Sequence, residues 1–466
     1  MNAHRNSPSF FKAPLSLSAL VAFASVAQAD TNDAQSAKSS IQQQIEELKA
    51  KVAALEKEVE PLNQAAPTAA SATANADKGF ALVSTDNQNS VRLRGLLQVD
   101  SRWFFDKTLD NDAILIRRAR LGLEGKFAET TQYQLIGEFA GTSATLLDAN
   151  IITTYSKELQ LELGRFKTPI GLEQLQGDSS NLFFMERSVV SQLIPNRDVG
   201  VQVGGKLFDG RITYALGVFD GTIDGGNNTT QTDNNDSKDV AGRLIFSPWI
   251  NDKGFFFQGL SFGFGGSTGV QDASSPLTSG YKSDGQQTIF AYNSGTVANG
   301  RVARLSPQLS YYRGSLGIFA EYVTSTAAVQ RAGNVGQLTH HAWQVEGGYV
   351  LTGEKANYDG IVPQTEFDRT KGTYGAVEAV ARISSIKFDG ASFINGTTTG
   401  FANPTTSARS ADTLGLGVNW YLNRFYRFSL DYEYTRFNLN PGATAVSNSV
   451  ISHPEHVILT RYQFSF

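Results

Sequence analysis

The chain has 466 residues, of which 41% are hydrophobic and 18% charged, with 40 basic against 44 acidic side chains, a formal net charge of -4 and no cysteine. The hydrophobic share is too low for a bundle of membrane-spanning helices, and the acidic balance disfavours a general nucleic-acid partner. The absence of thiols excludes thiolate metal sites, cysteine catalysis and disulfides.

The first segment reads as a targeting signal over residues 1–29. Arg5 and Lys12 give a positive start, Ala13 to Val26 is mostly apolar, and Ala27-Gln28-Ala29 is a small-residue cleavage site. Its apolar core is too short to span about 30 Å of hydrocarbon. Cleavage removes two of the 40 basic residues and no acid, leaving 38 against 44 and a net charge of -6. No later stretch holds 18 uninterrupted apolar residues, so helical membrane spans are excluded.

Residues 30–61 read as a short coiled coil. Ile41, Ile45, Leu48, Val52, Leu55 and Val59 alternate spacings of four and three. That places Ile45, Val52 and Val59 at a positions and Ile41, Leu48 and Leu55 at d. Lys51 at g and Glu56 at the next e form an attractive pairing between parallel partners. Pro61 is expected to stop the helix. So few heptads are marginal alone, so another contact must hold the partners together. A helix packed on its own chain is the alternative. Residues 62–88, rich in Ala, Thr, Asn and Pro, read as a flexible linker.

From residue 89 to 466 the pattern changes to period two. Val91, Leu93, Leu97, Val99 and Trp103 share one face, and Arg92, Arg94, Gln98, Asp100 and Arg102 the other. Ala119, Leu121, Leu123 and Phe127 then oppose Arg118, Arg120, Glu124 and Lys126. Tyr133, Leu135 and Phe139 oppose Gln132, Gln134 and Glu138. Leu147, Ala149, Ile151 and Tyr155 oppose Asp148, Asn150 and Thr154. Further runs begin near 159, 198, 211, 239, 259, 301, 314, 340, 374, 411, 426 and 455, with a weaker one near 286. The expected fold is all-β, an antiparallel transmembrane barrel of about 16 strands.

Alternation also fits a soluble sandwich, but several features favour the membrane. The runs are long, about 9 to 13 residues, as tilted membrane strands require. Aromatics cluster towards strand ends, as in Trp103-Phe104-Phe105, Tyr311-Tyr312 and Trp420-Tyr421. The 44 glycines suit such a wall as well. Short turns alternate with polar loops such as Thr222 to Asp239 and Gln271 to Gly285. The polar rows must face inward, because one Arg or Lys at mid-bilayer costs about 2–4 kcal/mol. The last run, His456 to Phe466, ends on an aromatic, with Ile458, Tyr462, Phe464 and Phe466 on one face.

These segments resemble the phosphate-selective porin O and P family. The resemblance rests on Arg117-Arg118-Ala119-Arg120-Leu121 before Glu124-Gly125, and on Leu163-Gly164-Arg165-Phe166 before Gly171-Leu172-Glu173. It continues through Phe184-Met185-Glu186-Arg187, Val199-Gly200-Val201-Gln202, Tyr349 to Glu354, Gly375 to Arg382, Gly415 to Tyr421 and Arg461-Tyr462-Gln463. It implies a sixteen-stranded, trimeric outer-membrane porin. The trimer would supply the contact that the short coiled coil lacks. The chain departs from the family at Gln174, where the resemblance implies lysine, and in the sparse basic residues from Val270 to Leu309, only Lys282, Arg301 and Arg304. The aspartate of the family's fourth strand is retained as Asp148.

The stretch 168–198 is too long for a turn, and loops of that length are usually functional; the resemblance implies that it folds into the pore. Arg165, Lys167, Arg187 and Arg197 are the candidates for a basic constriction, with Arg92, Arg94, Arg118 and Arg120 on the wall. Fixed cations in a narrow pore replace an anion's lost hydration, and Arg presents a fork suited to phosphate and carboxylate. The alternative has these arginines paired with Asp100, Glu124, Glu138, Asp148 and Glu162, holding the wall of a weakly selective pore. The expected partners are small anions or hydrophilic solutes and outer-membrane lipid.

No enzyme motif stands out. Gly263-Phe264-Gly265-Gly266 lacks the helix and Lys of a phosphate loop. His340 and His341 are adjacent on a strand and point oppositely. Asp233, Asp236 and Asp239 read as a solvated loop. No catalytic residue, metal or cofactor is expected, and a non-conducting structural or enzymatic barrel is the reading from another class.

Overall fold

The computed structural model describes residues 31–65, 71–75, 79–106, 111–177, 182–228, 236–278, 280–446 and 449–466. The targeting signal expected over residues 1–29 lies outside them, as does Asp233. The described residues divide into two units, one ending at Ala69 and one beginning at Ala70.

The first unit is a helix, Thr31–Ala65. It starts ten residues before the first heptad position and continues past Pro61. A proline removes one intrahelical hydrogen bond and bends the axis, and here it does not terminate the helix. Ile41, Ile45, Leu48, Val52 and Leu55 form an exposed apolar stripe. Lys51 bonds Glu47 one turn away at 3.0 Å.

The second unit is a closed antiparallel barrel of sixteen strands. In chain order these are β1 Ser90–Phe104, β2 Ala113–Phe127, β3 Thr131–Glu138, β4 Thr145–Thr154, β5 Gln160–Lys167 and β6 Arg197–Leu207. Then come β7 Ile212–Phe219, β8 Asp239–Phe246, β9 Leu260–Pro276, β10 Val297–Arg313, β11 Leu316–Arg331 and β12 Asn334–Val350. The wall ends with β13 Ala376–Lys387, β14 Ser410–Tyr421, β15 Tyr426–Asn438 and β16 Glu455–Ser465. Each strand pairs with the next, and β16 pairs with β1 to close the sheet. Phe466 and Gly95 exchange backbone hydrogen bonds, both 3.0 Å, at the seam.

The wall is uneven. Strands β3, β5, β7 and β8 have 8 residues, while β9 to β12 have 16 or 17, beyond the 9 to 13 expected. The stretch read as linker carries two further strands. Ser71–Asn75 pairs with Gly79–Val83, which extends the sheet beside Ser90 to Arg92.

Two bulges re-phase the alternation. Gln98 pairs with Arg118 and Val99 with Ile116, so Arg117 is an extra residue in β2. Ile114 and Ile116 face outward before it, and Leu121 and Leu123 after it. Arg117 and Arg118 therefore both turn inward, as a bulge permits. In β4 the extra residue is Leu147, between the pairs Ile136–Asp148 and Gly137–Leu146. This corrects the strict alternation: Leu147 is buried inside and Leu146 faces out.

The weak seventeenth run is not a wall strand. Thr288–Phe290 pairs with Tyr281–Lys282 in a small separate hairpin. Ile289 and Phe290 are both fully buried, leaving no lipid-facing row. With Ile170, Val189, Leu193, Phe388, Phe393 and Ile451 they form an apolar core inside the barrel. Loops folded inward thus fill the side bounded by the later strands. An open passage remains against β1 to β8.

Candidate functional site: the pore passage

The loop between β5 and β6, Thr168 to Asn196, crosses the lumen. It contains a single helical turn, Leu172–Leu175, and a tight helical turn, Val189–Leu193. Buried backbone groups must find partners, and the inward rows of the far wall supply them. Backbone donors meet acids: Leu172 and Glu173 give their N–H groups to the Glu321 carboxylate at 2.9 and 3.2 Å, and Met185 gives its own to Asp431 at 2.8 Å. Backbone carbonyls meet cations and amides. Leu182 accepts from Arg427 at 2.7 Å, Phe183 from Asn419 at 2.8 Å and Glu186 from Arg382 at 2.9 Å. Met185 accepts from Arg461. A Cβ on Gly265 of β9 would stand 2.2 Å from the Ile170 carbonyl oxygen, so glycine lets the loop lie against the wall.

Glu186 is the loop acid that arginines surround. Arg117 holds it through two hydrogen bonds, 2.6 and 2.9 Å, and Arg461 adds one at 3.2 Å. Burial disfavours its charge, yet Arg117, Arg118 and Arg461 outweigh burial and hold its carboxyl below the usual carboxylate range.

The nine residues singled out from sequence fall into distinct settings. Arg92 and Arg94 both pair with Glu124, Arg94 at 2.9 Å. Arg118 donates to the Gln98 side chain at 2.8 Å and stands 3.9 Å from Glu186. Arg120 bonds Glu138 at 2.8 Å. Arg197 clasps Asp148 through two bonds, 2.8 and 3.0 Å. Lys167 and Arg187 converge on one acceptor, the Gln176 carbonyl, at 2.8 and 3.3 Å. Arg165 pairs in the ladder with Ala149 and Val199 and stands in the field of Arg197 and Asp148. It does not line the passage cavities described below.

Among the described residues, three cavities run along the β1–β8 side. On the side of the loop away from the short turns lies one of about 410 Å³, lined by Arg117, Arg118, Arg187 and Lys282 against Glu186 and Asp224. On the other side is a chamber of about 360 Å³. Its charged lining is Arg94, Lys167, Arg197 and Arg243 against Asp148 and Glu162. Through Gln134, Asn150 and Ile152 this chamber adjoins a vestibule at the short-turn end, of about 540 Å³, with Arg92 and Lys126 against Glu124. Each cavity holds about two cationic side chains per acid. The acids of the filled side are withdrawn: Asp284, Glu346, Glu378 and Glu433 are each at most 2% exposed.

Sequence reasoning missed Arg117, Arg243 and Tyr358. A bulge is needed to turn Arg117 inward. Arg243 was legible, since Val240, Leu244 and Phe246 are outward and put it on the opposite row. Tyr358 belongs to the long connection Leu351 to Gly375, on the same side as the short turns. Its hydroxyl reaches the Leu172 carbonyl at 2.6 Å and braces the loop from below. Of the sparse mid-chain cations, Arg304 is buried against Asp224 at 2.6 Å and Lys282 lines the 410 Å³ cavity. Arg301 lies on the outward row of β10 with Leu305, donating to Thr268 at 3.2 Å. Gln174 is buried and bonds Asn196.

The model of the family described as phosphate-selective porin O and P matches residues 91–466. Among solved structures, the chain is similar to the outer membrane channel DcaP of Acinetobacter baumannii, with a TM-score of 0.52 and 10% identity over 82% of this chain and 99% of that one. It is also similar to an anion-selective porin from Comamonas acidovorans, with a TM-score of 0.50 and 13% identity over 81% of this chain and 100% of that one. No curated protein matches it. With a closed sixteen-strand wall, a loop across the lumen and a family match over the whole barrel, the chain belongs to the phosphate-selective porin O and P family and is an outer-membrane porin.

Proposed function

We propose that the passage favours small anions over cations without a dedicated phosphate site. The observation that carries this is the cation excess in all three cavities, in a chain whose net charge is -4. Fixed positive charge lowers the barrier for an anion that sheds part of its hydration. Most of these cations already hold partners: Arg94 a glutamate, Arg197 an aspartate, and Lys167 and Arg187 a shared carbonyl. They set a field along the path rather than a tight cradle, and Gln174 adds no charge.

The test is the reversal potential of the full-length protein in a planar bilayer under a potassium chloride gradient. A chloride-favouring potential is expected, moving towards potassium in Lys167→Gln and Arg187→Gln. A potassium-favouring wild-type pore would sink the reading.

The working unit is a trimer. The exposed stripe from Ile41 to Leu55 supports a coiled coil that reinforces it. In the single chain Lys51 is taken by Glu47, so its pairing with Glu56 of another copy must compete with that bond.

A further inference from the structure

The chamber below the loop is not uniformly polar. Ile136, Ile152 and Ile245 line it together with Phe166. Their ladder partners are Asp148, Glu162 and Thr213, so all three isoleucines sit on inward rows. An inward isoleucine meets no lipid, and the lumen of such a barrel is ordinarily polar. Apolar surface left to water in a conducting path is unfavourable unless something covers it.

Lys167, Arg197 and Arg243 line the same chamber. Arg243 donates its Nε hydrogen to Gln308 at 2.9 Å. Its Nη2 is buried and makes no hydrogen bond. A buried donor without an acceptor is costly, and a carboxylate would satisfy it. Inorganic phosphate or chloride could accept that bond, yet would leave the part-exposed Ile152 and Ile245 wet.

We infer that the chamber is a binding site for organic monoanions in which a carboxylate is joined to a compact apolar body, with arylcarboxylates as the model class. The inference rests on the anion-favouring reading and narrows it. The carboxylate accepts from Arg243 and is attracted by Lys167, while the ring covers Ile152 and Ile245. The chamber, about 360 Å³, lies at the small end of the roughly 300–1,000 Å³ range of ligand sites.

The experiment uses full-length protein in planar bilayers, with benzoate, acetate and inorganic phosphate as probes, and reads the concentration that half-blocks the chloride current. Benzoate is expected to block at a concentration about tenfold below acetate or phosphate, since burying a ring adds apolar contact that neither of the others has. Ile152→Asn and Ile245→Asn should each shrink that ratio several-fold, and Arg243→Gln should weaken the benzoate block. Equal half-blocking concentrations for benzoate and acetate, or a tighter phosphate block, would overturn the inference. So would a ratio unchanged in both asparagine variants. A wild-type pore that discriminates neither way settles the matter even if the variants fail to assemble. In each of these cases a chloride-favouring reversal potential would leave the broader reading standing, whereas a potassium-favouring one would remove its basis.

Discussion

Arg117 and Glu186 meet through two hydrogen bonds, and Arg117 is the residue that a bulge adds to the inward face of β2. One local irregularity of the wall thus supplies an anchor for the loop that narrows the lumen. Glu186→Gln should free the loop on this side, because a buried acid surrounded by arginines is replaced by a neutral amide. Breaking such a pair costs roughly 3 kcal/mol. The expected result is a lower thermal midpoint, noisier single-channel current and a stronger preference for chloride. Unaltered current noise and an unaltered midpoint would show that Arg117 does not hold the loop.

The seam offers a second prediction. A Cβ on Gly95 would stand 2.3 Å from the Phe466 ring. That ring also packs edge-on against Phe80, with centroids 6.4 Å apart. Gly95→Val should therefore slow barrel closure and lower the temperature at which the folded band shifts on a gel, with Phe466→Ala a milder change. A Gly95→Val barrel as heat-resistant as the parent would count against the seam.

A third concerns pH. Asp284, on the inner hairpin, is fully buried, and burial pushes its carboxyl above the usual aspartate value of 3.8. Arg382 at 3.0 Å opposes this, while Glu173 and Glu186 reinforce it. Glu346 and Glu433 also crowd Arg382, at 3.6 and 2.8 Å. A raised pKa means the folded state holds the proton more tightly. The hairpin is thus held best at low pH and loosens as pH rises above the ordinary aspartate range through the raised value. Conductance should grow over that window, and Asp284→Asn should flatten the profile. Conductance that falls with rising pH in the parent would refute the assignment.

A fourth concerns the helix. Leu48→Asn with Leu55→Asn removes two apolar knobs from the exposed stripe. Cross-linking in detergent should then yield fewer trimers, while strand content stays constant. Trimers of undiminished yield would mean that the stripe packs elsewhere.

Much of the wall was legible because lipid imposes a strict rule. A row such as Val91, Leu93, Leu97 and Val99 can face only hydrocarbon, and its polar neighbours only the lumen. The rule fails where backbone geometry intervenes. Leu147 reads as outward by parity, but the bulge turns it in beside Asp148. Inside the lumen no such rule holds, since apolar and polar side chains both have neighbours there. Thr288–Phe290 alternates weakly for that reason. The basic constriction was legible only as a set of candidates. Nothing local to Arg165 says that its row faces Val199, and nothing near Lys167 says that it shares the Gln176 carbonyl with Arg187.

Besides Arg117 of β2 and Tyr358, the groups that brace the crossing loop come from β10 to β16, and the contact from Arg461 to Met185 spans 276 residues of chain. Contacts so remote in sequence form slowly. The loop is made early, but its final pose needs side chains made last. Closure of the wall and calibration of the lumen are therefore one event. A barrel still lacking its final strands would leave that loop without its carbonyl and amide partners, free to occlude the path or swing clear of it. Scatter in unit conductance within one preparation would then report unfinished assembly rather than gating.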